Sequence, residues 1–253
     1  MDFTIEIYKE LLQSLVDQKY NFQTFKEFIE KPLEKSIVLR HDVDLLPYNS
    51  LAFAKIQAEK GIKGSYYFRA VSESWDETVI KEIAALHHEI GYHYECLTTC
   101  NGSMEKGIKD FETNLNSLRK LTPVSTICMH GSPLSKYDSK DLWKEYNYRD
   151  FQIIGEPYFD IDFNKTFYIT DTGRRWDGDK VSVRDKVNSR EFNLSFHSTK
   201  ELINAIANGT FPGKVMFTFH PQRWNNNILK WSKELLVQNI KNVVKFGLIK
   251  MKS

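Results

Sequence analysis

The chain has 253 residues, enough for one large α/β domain with a sizeable core, and its 41% hydrophobic and 27% charged content is an ordinary globular balance. With 35 basic against 33 acidic residues the net charge is only +2, which leaves no bulk electrostatic case for a nucleic-acid partner. No window approaches ~18 consecutive apolar residues, so no membrane span is expected.

Residues 4–18 carry Ile7, Leu11, Leu12, Leu15 and Val16 at helical spacing and predict a first helix. A second is expected over Phe22 to Glu30, and residues 36–39, with the apolar run Ile37-Val38-Leu39, read as a buried strand. After Pro47, NSLAFAKIQAEKG predicts a helix capped by Asn49 or Ser50 and stopped by Gly61. GSYYFRA is the next strand, DETVIKEIAALHHEIG a helix, GYHYEC a strand and residues 104–121 a helix ending before Pro123. STICMHG is a strand, and strand character continues through FQIIG and KTFYITDTGRRW. A helix over Thr199 to Ala207 capped by Ser198, the strand KVMFTFHP and a helix from Ile228 to Lys245 follow. Short apolar strands alternating with helices predict an α/β class with a parallel sheet, and the units are too irregular for a regular eight-fold barrel. With no repeat or linker, one domain is expected over residues 1–253, residues 1–35 forming an N-terminal helical extension. The opening MDFTIEIYKE lacks a signal-peptide pattern, and Cys96, Cys100 and Cys128 read as free thiols, which together point to the cytoplasm.

The strand ends carry the chemistry. LRHDVDLLPYN places His41, Asp42 and Asp44 within four positions; HHEIGYHYE supplies His93 and Glu95, CMHGSP supplies His130, and MFTFHPQRW supplies His220, Arg223 and Trp224. TDTGRRW adds Asp171, Arg174, Arg175 and Trp176. Parallel β/α folds gather reactive groups at such ends, and four ionisable groups at four strand ends are costly to bury unless they are used or paired. Imidazole with carboxylate suits a divalent metal such as zinc, a spare carboxylate can take a proton from water, and an opposing His can protonate a leaving group. His87, His88 and His197 read as structural. Asp171 with Arg174 equally suits a plain ion pair, and Trp176 and Trp224 suit core as well as a sugar platform.

At these residues the sequence resembles the polysaccharide deacetylase family, the NodB-homology group or carbohydrate esterase family 4, over about residues 36–224. HEIGYHYE is similar to that family's HEIGNH segment, whose closing His is a metal ligand, and His93 falls there. RHDVD resembles the first motif, which implies Asp42 as catalytic base and Asp44 as metal ligand, although Val43 separates two Asp that are adjacent in the family. FTFHP puts His220 in place of the general acid, and DTGRRW loosely echoes the motif that helps set the base. The family's second metal His would fall at Leu97, which leaves Glu95 or His130 to complete the site. The resemblance implies an irregular (β/α) barrel and a zinc-dependent hydrolase removing an N-acyl group from an amino sugar. Without an export signal, that sugar is expected to be a nucleotide- or lipid-linked precursor of a surface polysaccharide. Asp171, Arg174, Arg175, Arg223 and Trp224 are the expected substrate contacts, the arginines because guanidinium forks hold phosphate; the opposing expectation is that the arginines pair with Asp171, Asp177 or Asp179. The alternatives are a metal-free amidohydrolase acting on a small nitrogenous compound and a carbohydrate-binding relative without turnover.

Overall fold

Seven parallel strands make one sheet: β1 (Asn21–Gln23), β2 (Ser36–Val43), β3 (Ser65–Phe68), β4 (Glu89–Tyr94), β5 (Ile127–Met129), β6 (Phe167–Thr170) and β7 (Lys214–Phe219). The computed structural model describes residues 1–132, 135–177, 187 and 191–252, with side chains to residue 244. The order is β5-β4-β3-β2-β7-β6, and β1 pairs with the start of β2. Because β7 takes one edge of β2 from Ser36 to His41, β1 and β3 lie end to end along the other. Nine helices connect or flank the strands among the described residues: α1 (Ile5–Asp17), α2 (Phe25–Glu30), α3 (Pro47–Glu59), α4 (Glu77–Ala85), α5 (Cys96–Thr99), α6 (Met104–Arg119), α7 (Pro157–Asp160), α8 (Thr199–Ala207) and α9 (Ile228–Lys252).

The two faces of the sheet have separate cores. Val38, Tyr67, Cys128 and Met216 point to one side, where Phe25 and Phe28 of α2 close the space with Ile161 and Phe163. Ile37, Leu39, Tyr66, Phe68, Ile90, Tyr92, Phe217 and Phe219 point to the other, beneath the main helical layer. The period-2 alternation of strands thus divides an inside from an outside. Both sides are covered, as a parallel sheet requires. Among the described residues no pairing joins β5 to β6, so the architecture is an irregular, open (β/α) barrel. Gly91 sits where the Tyr67 ring crosses β4 and leaves no room for a Cβ.

Several elements differ from expectation. The helix expected from Phe22 begins only at Phe25: residues 21–23 are strand β1, and a capping box between Thr24 and Glu27 fixes the later start. Residues 1–35 are integral to the fold, since β1 joins the sheet, α2 fills the barrel and α1 packs on α8. Strand β2 runs four residues beyond Leu39, through the charged stretch to Val43. α3 starts at Pro47 behind Leu46, a left-handed residue with φ 55°, and not at Asn49 or Ser50; the missing N–H of Pro47 costs nothing in a first turn. FQIIG contributes only a bridge between Thr126 and Gly155. α4 ends at Ala85, before His87 and His88.

His41 belongs to the outer side. Its Nδ1 donates to the Ser65 carbonyl at 3.1 Å and its Nε2 accepts from the Gln57 amide at 2.8 Å, with the Tyr66 ring stacked at 4.1 Å. Burial pushes its pKa down to about 3, so it is neutral and structural. His88 is structural too, accepting from the Gly64 N–H at 3.0 Å and donating to the Ala54 carbonyl at 2.9 Å.

Candidate active site

Asp42 points inward from β2, on the same face as Arg40 two residues earlier. The Arg40 guanidinium grips both its oxygens, Nε to Oδ1 at 2.8 Å and Nη2 to Oδ2 at 2.6 Å. Arg40 is buried with it, its guanidinium 5.3 Å from the Tyr158 ring. A buried ion pair of this kind is fixed in orientation, because removing either partner strands a charge. Two-point binding still leaves Asp42 lone pairs free, and Oδ2 lies 3.6 Å from His93 Nε2.

Asp44, just past the strand, has an Oδ1 that is buried and without a hydrogen-bond partner. That oxygen faces His93 Nε2 at 3.7 Å and His130 Nε2 at 3.6 Å. Each imidazole is committed on its other side. His93 Nδ1 donates to the Cys128 carbonyl at 2.9 Å, and His130 Nδ1 faces Glu95 Oε2 at 2.9 Å. Both acceptors lack protons, so Nδ1 carries the hydrogen and each Nε2 presents a lone pair toward Asp44. One donor atom from each of the three residues lies within 4.8 Å of the others. Burial, then the charge of His130, pushes the His93 pKa well below its ordinary value, which keeps that lone pair available. Burial alone would raise the Asp44 carboxyl, but when the neighbouring imidazoles are protonated their charge, that of His130 foremost, lowers it below its ordinary value.

An anionic oxygen with two neutral imidazoles is the donor set of a three-ligand zinc site. Asp42, His93 and Cys128 also converge within the same distance. That set is the poorer seat for a cation, because the Arg40 guanidinium already neutralises Asp42 and would repel a second positive charge.

Glu95 is placed around this group and not within it. Its Oε1 receives Arg69 Nε at 2.8 Å and its Oε2 binds His130. Burial would raise its pKa, but His130 and Arg69 bring it down to about 2. A carboxylate so engaged orients its imidazole, as metal-ligand histidines commonly require.

His220 stands at the end of β7, the strand that pairs with β2. Its Nδ1 lies 2.6 Å from Asp171 Oδ1, and its Nε2 is 3.9 Å from Asp44 Oδ2. Arg223 Nη1 also approaches His220 Nδ1, at 2.9 Å, but a nitrogen cannot both donate to the carboxylate and accept from the guanidinium. The shorter contact to an obligate acceptor decides for Nδ1–H, leaving Nε2 directed at the site. Asp171 is fully buried and also accepts from the His220 N–H, Trp224 Nε1 and Arg223. Burial would raise its carboxyl, but His220 and Arg223 keep it below the ordinary range.

Four of the expected substrate contacts, Asp171, Arg174, Arg223 and Trp224, are therefore engaged inside the protein, and Arg175 is held at its surface. Arg223 and Trp224 support Asp171. Arg174 is buried, stacked 4.5 Å from the Trp231 ring, and Arg175 is bound in a fork to Asp177. Asp171 supports the His220 imidazole and is buried away from any ligand. Asp179 lies outside the described residues. The alternation along β2 could have revealed Arg40 as the partner of Asp42. Arg69, at the end of β3, and Gln222, whose amide reaches Asp44 Oδ2 at 3.2 Å, carried no comparable signal.

No protein-family model matches the chain, and no curated protein matches it. Among solved structures it is similar to a carbohydrate esterase family 4 pseudoenzyme from Bacillus anthracis, with 14% identity, a TM-score of 0.43 and coverage of 85% of this chain. The chain spans 62% of that protein. It is also similar to the family 4 domain of a multidomain xylanase from the hindgut metagenome of Trinervitermes trinervoides, with 11% identity, a TM-score of 0.40 and coverage of 81% and 82% of the two chains. A third is a family 4 carbohydrate esterase of Bacillus subtilis, at 12% identity, a TM-score of 0.40 and coverage of 91% and 83%.

Proposed function

We propose that this chain is a divergent member of the polysaccharide deacetylase family, a metal-dependent hydrolase that removes an N-acyl group from an amino sugar. The observation that carries this reading is the placement of an acid and a base around one donor set. Asp44, His93 and His130 converge, with Asp42 Oδ2 3.6 Å from His93 Nε2 and His220, backed by Asp171, 3.9 Å from Asp44 Oδ2.

Asp42 takes the proton of the attacking water, its carboxylate held at one angle by Arg40. His220 delivers a proton from Nε2 to the departing amine, and Asp171 compensates the charge the imidazole carries before that transfer. A divalent ion held by Asp44, His93 and His130, zinc being well suited to two imidazoles and a carboxylate, supplies Lewis acidity for the charge that develops on the acyl oxygen. Glu95 and Arg69 keep His130 in register.

The substrate we favour is an N-acetylated amino sugar; the arginines expected to hold a carrier phosphate are engaged with protein groups, so a nucleotide or lipid carrier is tested separately. The decisive experiment pairs metal analysis of the purified protein with acetate release from N-acetylated amino sugars, free and carrier-linked. One equivalent of metal with acetate release is the expected result. Release that persists in metal-stripped protein would remove the metal from the mechanism, and absence of release from every amino sugar would remove the substrate class. Equal kcat/KM for free and carrier-linked sugar would discard the carrier alone.

A further inference from the structure

α9 exposes more apolar surface than a helix that merely packs on its own protein. Leu229, Leu236, Ile240 and Val243, spaced by seven, four and three residues, form one stripe, with Val244 beside it. These side chains are between 52% and 77% exposed. The less exposed side carries Trp231, Leu235 and Val237 together with the polar Glu234, Gln238 and Asn242. Trp231 Nε1 donates to the Asp2 carbonyl at 2.7 Å, Asn242 Nδ2 donates to the Gly173 carbonyl at 2.9 Å, and Gln238 is the one fully buried side chain among the described residues of α9. A surface helix ordinarily turns its apolar stripe inward. Here the stripe is left for something else to cover.

The charge of the segment identifies what covers it. Residues 228–252 contain six lysines and one glutamate, a local charge of +5 in a chain whose total is only +2. Lys233 lies among the apolar residues of the stripe, and Lys230 and Lys241 flank it. Two copies of such a helix would meet lysine to lysine, and like charges brought together oppose pairing. An anionic bilayer surface has the opposite sign, accepts an apolar stripe a few ångströms into its acyl boundary, and leaves flanking lysines among its headgroups. No helix among the described residues is long and apolar enough to cross a membrane, so the contact is one of lying on the surface.

We infer that α9 docks this protein on an anionic lipid surface through the Leu229–Leu236–Ile240–Val243 face. The helix is fastened to the turn that follows β6, since Arg174 Nη1 donates to the Trp231 carbonyl at 2.8 Å. The inference stands on α9 alone and does not depend on the hydrolase reading.

The test is co-sedimentation of the full chain with vesicles of phosphatidylcholine alone or with about one-third phosphatidylglycerol. The expected result is binding to the anionic vesicles at least ~10-fold tighter than to neutral ones and weakened by salt. Leu236→Asp with Ile240→Asp should abolish it, while Lys233→Glu with Lys241→Glu should remove the preference for anionic lipid. All four side chains point outward, so circular dichroism and Tm should stay at parental values in both variants. Failure to pellet with anionic vesicles overturns the inference, as does undiminished pelleting of the double Asp variant. A concentration-dependent dimer that this variant splits, without vesicle binding, would assign the face to a second copy and overturn it equally.

Discussion

Asp42 stands between Arg40, which holds both its oxygens, and the open side of the site, where it can take a proton. Asp42→Asn keeps the shape and removes the base, so turnover should fall by roughly 10²–10⁴-fold with metal content unchanged. His220→Ala should cost a similar factor, and near-parental rates in both variants would exclude the pair from the chemistry. Glu95 separates two readings of the metal centre. As an orienting group its replacement by Gln should weaken metal affinity by about 10–100-fold without abolishing it. His93→Ala or Asp44→Asn should lose the metal outright. Isothermal titration with zinc distinguishes the two patterns, and equal losses in all three variants would make Glu95 a direct ligand.

At the scale of the element, β2 and β4 carry the most consequential single positions. His41 is neutral in the folded chain down to about pH 3, whereas an unfolded His takes its proton near pH 6.5. Above that value both states are neutral and His41 adds no pH dependence. As pH falls from about 6.5 toward 3 the unfolded state gains a proton that the folded state refuses, so stability declines by up to ~1.4 kcal/mol per pH unit from this group. His41→Gln should flatten the dependence of unfolding free energy on pH between 6 and 4, even while lowering stability at pH 7. An unchanged slope would mean that other groups govern acid sensitivity. In β4, Gly91→Ala drives a methyl into the buried Tyr67 ring, whose hydroxyl is tied to Thr126 at 3.1 Å. An overpacking cost of about 1–3 kcal/mol is expected in denaturant titration. A variant as stable as the parent would show that the ring can move.

For the molecule as a whole, the site is built from strand ends far apart in sequence, so an ion bound there stabilises the entire sheet. At 100 times its Kd a bound metal adds about 2.7 kcal/mol, and Tm should rise on zinc addition and fall with a chelator, an effect His93→Ala should remove. Much of this plan was legible in the sequence. The apolar runs of β2, β3, β4, β5 and β7 gave the strands, and the charged residues after them marked the C-terminal rim. Three things were not legible, for a shared reason. The continuation of β2 through Arg40, His41 and Asp42, the burial of Arg174 against Trp231, and the outward stripe of α9 all place a residue type opposite to its usual surroundings. Composition alone cannot reveal such reversals, because they depend on which partner the fold supplies. The alternation in β2 constrains its length. Val38, Arg40 and Asp42 share one face and Ile37, Leu39, His41 and Val43 the other, so Val43 is the spacer that returns Asp44 to the side of Asp42. Losing or gaining one residue here would exchange the two sets and strand two carboxylates among the helices. Changes by two would keep both sets on their own sides.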